Sequence, residues 1–210
     1  SERSRGLGDV YKRQDIEFMN ALELDKLIKN ISKKETIICD LNSASYSLVN
    51  KIKSKAKLKL EGDLIQLLKS KKNKSERNGM VECHKRDGVA LTKFIFWIKN
   101  KVRNRRITEL DAIKYLDKKR EKNEKFFSLS FPTIAGTGSN GAIVHYRANK
   151  KTNKLIKTSD LFLVDSGAQY MDGTTDVTRT ICFNTPSTEQ IEMYTRVLKG
   201  HIAVASSKIK

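Results

Sequence analysis

An unbroken apolar run, Leu161-Phe-Leu-Val164, leads directly into Asp165, and a short run of this kind predicts a strand buried on both faces. Alternating segments around it predict strands at 133–135, 142–147, 160–169 and 176–183. Upstream, Met80, His84, Asp87, Leu91, Phe94 and Ile98 recur with a helical period. His84 and Asp87 fall on the inner side of that stripe at a spacing that permits a mutual hydrogen bond, read as a structural pair rather than a ligand set. A second helix is predicted from Thr108-Glu-Leu-Asp111, which resembles a capping box, to about Asn123. A third follows Pro186 with Ser187-Thr-Glu-Gln190; its stripe of Ile191, Tyr194, Leu198, Ile202 and Ala205 is expected to pack on the sheet. Nearer the start, residues 35–39 predict a buried strand, followed by a helix capped at Asn42 or Ser43 and running to Lys53. The order of elements predicts an α+β fold, a curved antiparallel sheet with helices on one face.

The candidate chemistry lies where the apolar run ends. In Asp165-Ser-Gly-Ala-Gln-Tyr170-Met-Asp-Gly-Thr-Thr-Asp176-Val-Thr-Arg-Thr180, two carboxylates stand at a fixed offset on strand-like sequence behind an apolar entry. Hard divalent cations take such oxygen ligands, and a pair of ions needs carboxylates that chelate one and bridge both. Asp172-Gly173 is a hairpin signal. A tight turn centred there would set Gln169 opposite Asp176 and leave Asp165 roughly 13 Å down the strand, too far for a metal pair. A bulge or wider loop that shifts the register, and so an irregular hairpin, is therefore expected. The alternative, a surface hairpin with incidental acids, is disfavoured by the apolar entry. On the strand at 142–147, alternation puts His145 on the face of Ile143.

Composition removes several other classes. A formal net charge of +18 invites a nucleic-acid role. Yet Lys greatly outnumbers Arg, and the densest clusters, 69–74 and 99–106, lack interleaved aromatics for stacking. They are read as solvated loops with weak, salt-sensitive adhesion to polyanions and no specific nucleic-acid partner. Gly136-Thr-Gly-Ser-Asn-Gly141 spells a dinucleotide fingerprint, but strand-like sequence follows where that motif requires a helix. No apolar run approaches the ~20 residues of a membrane span, and no secretory signal is visible, so a cytoplasmic location without membrane partners is expected. Cys39, Cys83 and Cys182 are widely separated and read as buried free thiols. Residues 1–14 show no periodicity and are read as a non-native or disordered segment.

Several motifs together resemble one family. Ser128-Leu-Ser-Phe-Pro-Thr133, Gly141-Ala-Ile-Val-His-Tyr146, the double-aspartate hairpin and Val197-Leu-Lys-Gly-His-Ile202 resemble the eukaryotic-type Xaa-Pro aminopeptidases (aminopeptidase P). Weaker matches reach back to Asn78-Gly-Met and Arg86-Asp-Gly-Val-Ala-Leu91. The family belongs to the pita-bread superfamily, with methionine aminopeptidases, prolidases and creatinases. The resemblance implies a pita-bread fold, incomplete at the C-terminus. Residues 15–64 would be the end of the middle domain, and 65–210 the first portion of the catalytic domain.

By the same resemblance Asp165 would chelate one metal, Asp176 would bridge two, and His145 would sit in the substrate pocket near the scissile carbonyl. The metals would be two manganese ions, and the substrate a peptide with proline in second position. One histidine and two glutamates complete the family's ligands, in segments beyond those that match here. His201 matches a helix position and not a ligand. The chain is thus expected to be a C-terminally truncated fragment with two of five ligands, inactive alone. Tyr170 and Arg179 match the family's hairpin and are expected to brace the aspartates. Family members are often dimers, so a homodimer is a further expectation. The alternative is a non-catalytic pita-bread module that binds protein or RNA; the presence of Asp165, Asp176 and His145 favours the enzyme.

Overall fold

A β-α-β unit opens the described part of the chain, residues 19–208 of a computed structural model. The segment 1–14 lies outside the described residues. After a short helix α1 (Leu24–Asn30), strand β1 (Thr36–Asp40) pairs in parallel with β2 (Lys57–Glu61), in the register Thr36↔Lys57 to Asp40↔Glu61. Helix α2 (Tyr46–Lys53) connects them. Its cap is Ser45, whose hydroxyl accepts the Leu48 N–H at 3.3 Å, rather than the expected Asn42 or Ser43. The Ser43 hydroxyl is already spent on the Asp40 carboxylate, in a turn closed by Ala44 N–H to the Asp40 carbonyl.

The chain divides into two units, Ser1–Lys71 and Lys72–Lys210. The sequence placed a boundary between residues 64 and 65. The division falls later because Leu64–Ser70 is itself a helix, α3, capped by Asp63.

Unit two begins with the long helix α4 (Lys74–Lys101), closed at its start by a full capping box between Asn73 and Glu76. Its inner stripe is Cys83, Asp87, Ala90, Leu91, Phe94 and Ile98. Met80 and His84, expected on that stripe, are exposed, and no His84–Asp87 bond forms: His84 Nδ1 lies 2.7 Å from the Met80 carbonyl oxygen. Asp87 faces elsewhere. Helix α5 (Glu109–Glu121) has the Thr108/Asp111 capping box that the sequence indicated.

Two three-stranded antiparallel sheets follow, one in the order β3 (Phe126–Leu129), β6 (Ala168–Tyr170), β7 (Gly173–Thr174), the other β4 (Ile134–Thr137), β5 (Leu161–Ser166), β8 (Val177–Cys182). A single residue, Gly167, joins β5 to β6, so the same chain segments run through both sheets and bend between them. A Cβ at Gly167 would collide with the Thr175 carbonyl and the Ser130 hydroxyl. On β5, burial alternates: Phe162, Val164 and Ser166 are buried while Leu161, Leu163 and Asp165 are half-buried, so the apolar run is core on one face only. The buried face meets α4 and α5 in one cluster that includes Phe94, Ile98, Leu116, Phe162, Val164 and Ile181.

Three further expectations fail. Strand β1 is not buried: Thr36 and Ile38 are exposed, and Ile37, Cys39 and Asp40 are half-buried. Residues 142–147 are not a strand: Gly138–Ala142 is a 3-10 turn, and His145 has a left-handed backbone (φ 54°). The last helix, α6 (Thr188–Ser206), forms with its Ser187/Gln190 capping box but buries none of its residues among the described ones. Ile191, Tyr194, Leu198 and Ile202 are 45% to 60% exposed, so the stripe does not lie on the sheet.

Helix α4 rests on the hairpin tip through glycine contacts. A Cβ at Gly79 would collide with the Asp172 backbone carbonyl, and one at Gly173 would press on Cys83 Sγ and Met80. Gly88, in the same helix, has nothing within 4 Å of its Cβ position. Alanine is favoured over glycine in a helix by about 0.8–1 kcal/mol. Gly88→Ala should therefore raise the unfolding free energy measured in urea by that increment, whereas Gly79→Ala should lower it because the clash outweighs the gain. Shifts of the same sign would contradict the contact.

Candidate metal centre

Asp165 ends the apolar run on the central strand β5, between Ile134 of β4 and Thr178 of β8. Its side chain points to the face away from the helices. The Oδ1 atom is buried and has no hydrogen-bond partner among the described residues. An unpaired buried carboxylate oxygen is costly, by about 1–3 kcal/mol or more, unless a donor or cation meets it.

The hairpin brings Asp176 to the same face, by a route other than the expected one. Tyr170 pairs with Gly173, so the two turn residues are Met171 and Asp172 rather than Asp172 and Gly173. The same register continues through Gln169↔Thr174 and Ser166↔Val177 to Asp165↔Thr178. No residue is inserted. Carried to the strand's edge, this register sets Asp176 opposite Gly167, a diagonal neighbour of Asp165 at roughly 7–8 Å in place of the 13 Å of a later turn. Irregularity there is local: the Ala168 N–H donates to Thr175 Oγ1 (3.0 Å), while the Thr175 N–H keeps its bond to the Ala168 carbonyl (2.8 Å). Asp176 is exposed. From such positions two carboxylates can reach a pair of ions about 3.5–4 Å apart.

His145 arrives on a loop. The 3-10 turn before it folds over the same open face: a Cβ at Gly141 would touch Leu163 Cβ at 3.6 Å, one side-chain step along β5 from Asp165. His145 itself is exposed and makes no hydrogen bond to either aspartate. The loop is held from below by Glu109, the first residue of α5, which is fully buried. Its carboxylate accepts the Thr137 N–H (2.8 Å), Asn140 Nδ2 (3.0 Å), the Tyr146 hydroxyl (2.9 Å) and the Lys154 N–H (3.1 Å). The positive end of the α5 dipole favours a charge at that place. Gathering donors from 137, 140, 146 and 154 around one carboxylate requires a curled chain, which is why the apolar alternation at 142–147 does not become a strand.

A second buried carboxylate sets the hairpin. Asp87 accepts Arg120 Nε (2.8 Å) and Nη2 (2.9 Å) and the Tyr170 hydroxyl (2.8 Å). Burial, then the bond to the Asp87 carboxylate, pushes the Tyr170 hydroxyl well above the ordinary tyrosine range, so it remains a donor. At the turn, Arg86 and Lys125 both pair with Asp172. Burial pushes the Asp172 carboxyl up, but these two partners outweigh it and hold it below the usual carboxylate range. Tyr170 thus braces the hairpin through Asp87 rather than by touching the aspartates. Arg179 is exposed and donates to the Thr178 carbonyl. Sequence reasoning missed Glu109, Asn140 and the Asp87–Arg120 pair; a buried Arg or Glu carries no periodic signal that separates it from its solvated neighbours.

Among the described residues no cluster of three or more His, Cys, Asp or Glu side chains is placed to hold a metal. The family model for metallopeptidase family M24 matches residues 78–210. The chain belongs to that family. It is 39% identical over 183 residues to the Xaa-Pro aminopeptidase ApepP of Drosophila melanogaster, which covers 87% of this chain and 30% of that protein. It is 47% identical over 140 residues to a probable Xaa-Pro aminopeptidase P of Podospora anserina, with 66% and 21% covered. Among solved structures, the X-prolyl aminopeptidase of Caenorhabditis elegans, described as a cytosolic enzyme with a di-nuclear active site, superposes with a TM-score of 0.76 at 33% identity, over 90% of this chain and 30% of that one. The prolidase of Pyrococcus furiosus gives 0.69 at 25% identity, over 88% and 51%. The chain therefore has the α+β pita-bread fold and spans less than a third of the length of these aminopeptidases. Among the described residues no helix is long and apolar enough to cross a membrane.

The Asp87 bracket makes a quantitative prediction. Asp87→Asn strands the buried Arg120 charge and should cost about 3–5 kcal/mol in urea unfolding. Tyr170→Phe removes one bond to a charged acceptor and should cost about 1.5–3 kcal/mol. Equal and small losses would mean that the pair is not buried in solution.

Proposed function

We propose that this chain carries the first part of a two-metal aminopeptidase site that removes the N-terminal residue from peptides with proline in second position. The observation that carries this reading is the unpartnered buried oxygen of Asp165 on the same open face as Asp176. Both side chains offer only oxygen, which suits hard divalent cations and favours manganese. Asp165 would chelate one ion and Asp176 would bridge two. When bound, the ions supply Lewis acidity toward the scissile carbonyl and an acidified water.

The reaction itself is hydrolysis: water oxygen bonds to the carbonyl carbon, the amide C–N bond breaks, and the proline nitrogen leaves with a proton. His145, carried over the open face by the turn at Gly141, would donate a ring N–H to the carbonyl oxygen as negative charge develops there. Glu109 holds the loop that presents it, and the Asp87–Tyr170 bracket holds the hairpin with the aspartates. Two carboxylates alone cannot fix two ions, so the 210-residue chain by itself is assigned little or no turnover. A cytoplasmic location is proposed from the likeness to the C. elegans enzyme, and a homodimer from the habit of the family.

The test uses two preparations. The purified chain with manganese should hydrolyse an Xaa-Pro peptide no faster than its Asp176→Ala variant. A chimera in which residues 78–210 replace the matching segment of the Drosophila enzyme should cleave the peptide. Asp165→Ala or Asp176→Ala should abolish that activity, and His145→Ala should lower kcat by about 100- to 1,000-fold. A folded chimera that retains full activity after either aspartate is removed would sink the assignment.

A further inference from the structure

A stacked aromatic pair, half-buried where it packs against the core, lies in a basic depression on the α4–α5 hairpin. The depression has a volume of about 410 Å³ and is lined by Lys101, Arg105, Arg106, Lys114 and Lys118 around Trp97 and Tyr115. The two rings stack with centroids 3.8 Å apart and planes within 6°, and Lys119 Nζ lies 5.0 Å from the Tyr115 centroid. The one acid in the lining, Asp111, is occupied by the Thr108 N–H (3.0 Å) and hydroxyl (2.7 Å). None of the five lining cations forms an ion pair among the described residues. A second hollow of about 560 Å³ shares Trp97, Lys101 and Tyr115 and adds Phe96, which is 72% exposed.

We propose that this trough binds single-stranded nucleic acid without sequence preference. Unpaired cations along a groove attract a run of phosphates, and the exposed Phe96 ring beside the half-buried Trp97–Tyr115 stack offers the kind of stacking surface that bases use. Charge alone would fit any polyanion; rings at the floor and rim of a cationic trough fit a strand that carries both phosphates and flat bases. The linear sequence concealed this. The cluster at 99–106 contains no aromatic residue, and Tyr115 reaches Trp97 only because α5 folds back along α4. The trough lies on other elements than the aspartate hairpin, so the assignment stands apart from the peptidase reading.

Trp97 is the only tryptophan of the chain, so its fluorescence reports this trough. Titration of the 210-residue chain with a short oligothymidylate should quench that fluorescence saturably. The logarithm of the association constant should fall with the logarithm of salt by about 0.7 per phosphate contacted. The exposed pair Arg105→Glu, Lys114→Glu should weaken binding at least about tenfold and make the slope shallower by about 1.4. A control pair of equal charge change in the other basic cluster, Lys69→Glu, Lys71→Glu, should alter binding by no more than about twofold if bulk charge contributes only through screened, long-range attraction. Absence of quenching, equal loss in both pairs, or equal quenching by a heparin fragment of the same charge would each overturn the proposal.

Discussion

The buried pair of Asp87 and Arg120 holds the second unit together. An ion pair that is out of water gains little by itself, because desolvation offsets most of the attraction. What it supplies is registry: α4 contributes the acid, α5 the base, and the hairpin the Tyr170 hydroxyl that completes the acceptor. A shift of one element relative to another breaks at least one of these three bonds. The β5–β6 segment that ends in Tyr170 begins with the strand of Asp165, so the same pair fixes how far the metal-ligand candidate stands from the helices.

The carboxylates of this unit fall into two kinds. Glu109 and Asp87 are inside and saturated with donors, and each organises backbone from distant segments. Asp165 is on the open face with one buried oxygen left unmet. The difference separates scaffold from site more clearly than exposure does, since Asp165 is only half-buried and Asp176 is exposed. A carboxylate that the fold leaves unsatisfied is the one available for a cation.

Much of this was legible beforehand. The two capping boxes at Thr108 and Ser187 and the long helix before them follow from local chemistry, and the candidate aspartates stood out because apolar sequence precedes them. Two kinds of feature were hidden. The turn at Met171-Asp172 differs from the Asp172-Gly173 signal because Arg86 and Lys125 claim Asp172 and Cys83 needs a glycine at 173, constraints from other parts of the chain. The loop of His145 looked like a strand because Ile143 and Val144 are apolar, yet both are exposed and the loop's shape is set by Glu109 instead. Periodicity registers what faces a core; it is silent on which polar group in one helix will gather backbone from another segment.

The glycine contact at the hairpin tip has a consequence for the chemistry of a thiol. Cys83 lies fully buried beneath Gly173, its Sγ donating to the Met80 carbonyl at 3.2 Å, and burial pushes the thiol up from its ordinary range. Cys39 and Cys182, expected to be buried as well, are only half-buried, because each lies at or beside the end of a strand. An alkylating reagent therefore meets two accessible sulfurs at once and the third only when α4 parts from the tip. The slow phase of thiol labelling is a clock for that parting, and it times the opening of the hairpin that carries the aspartates.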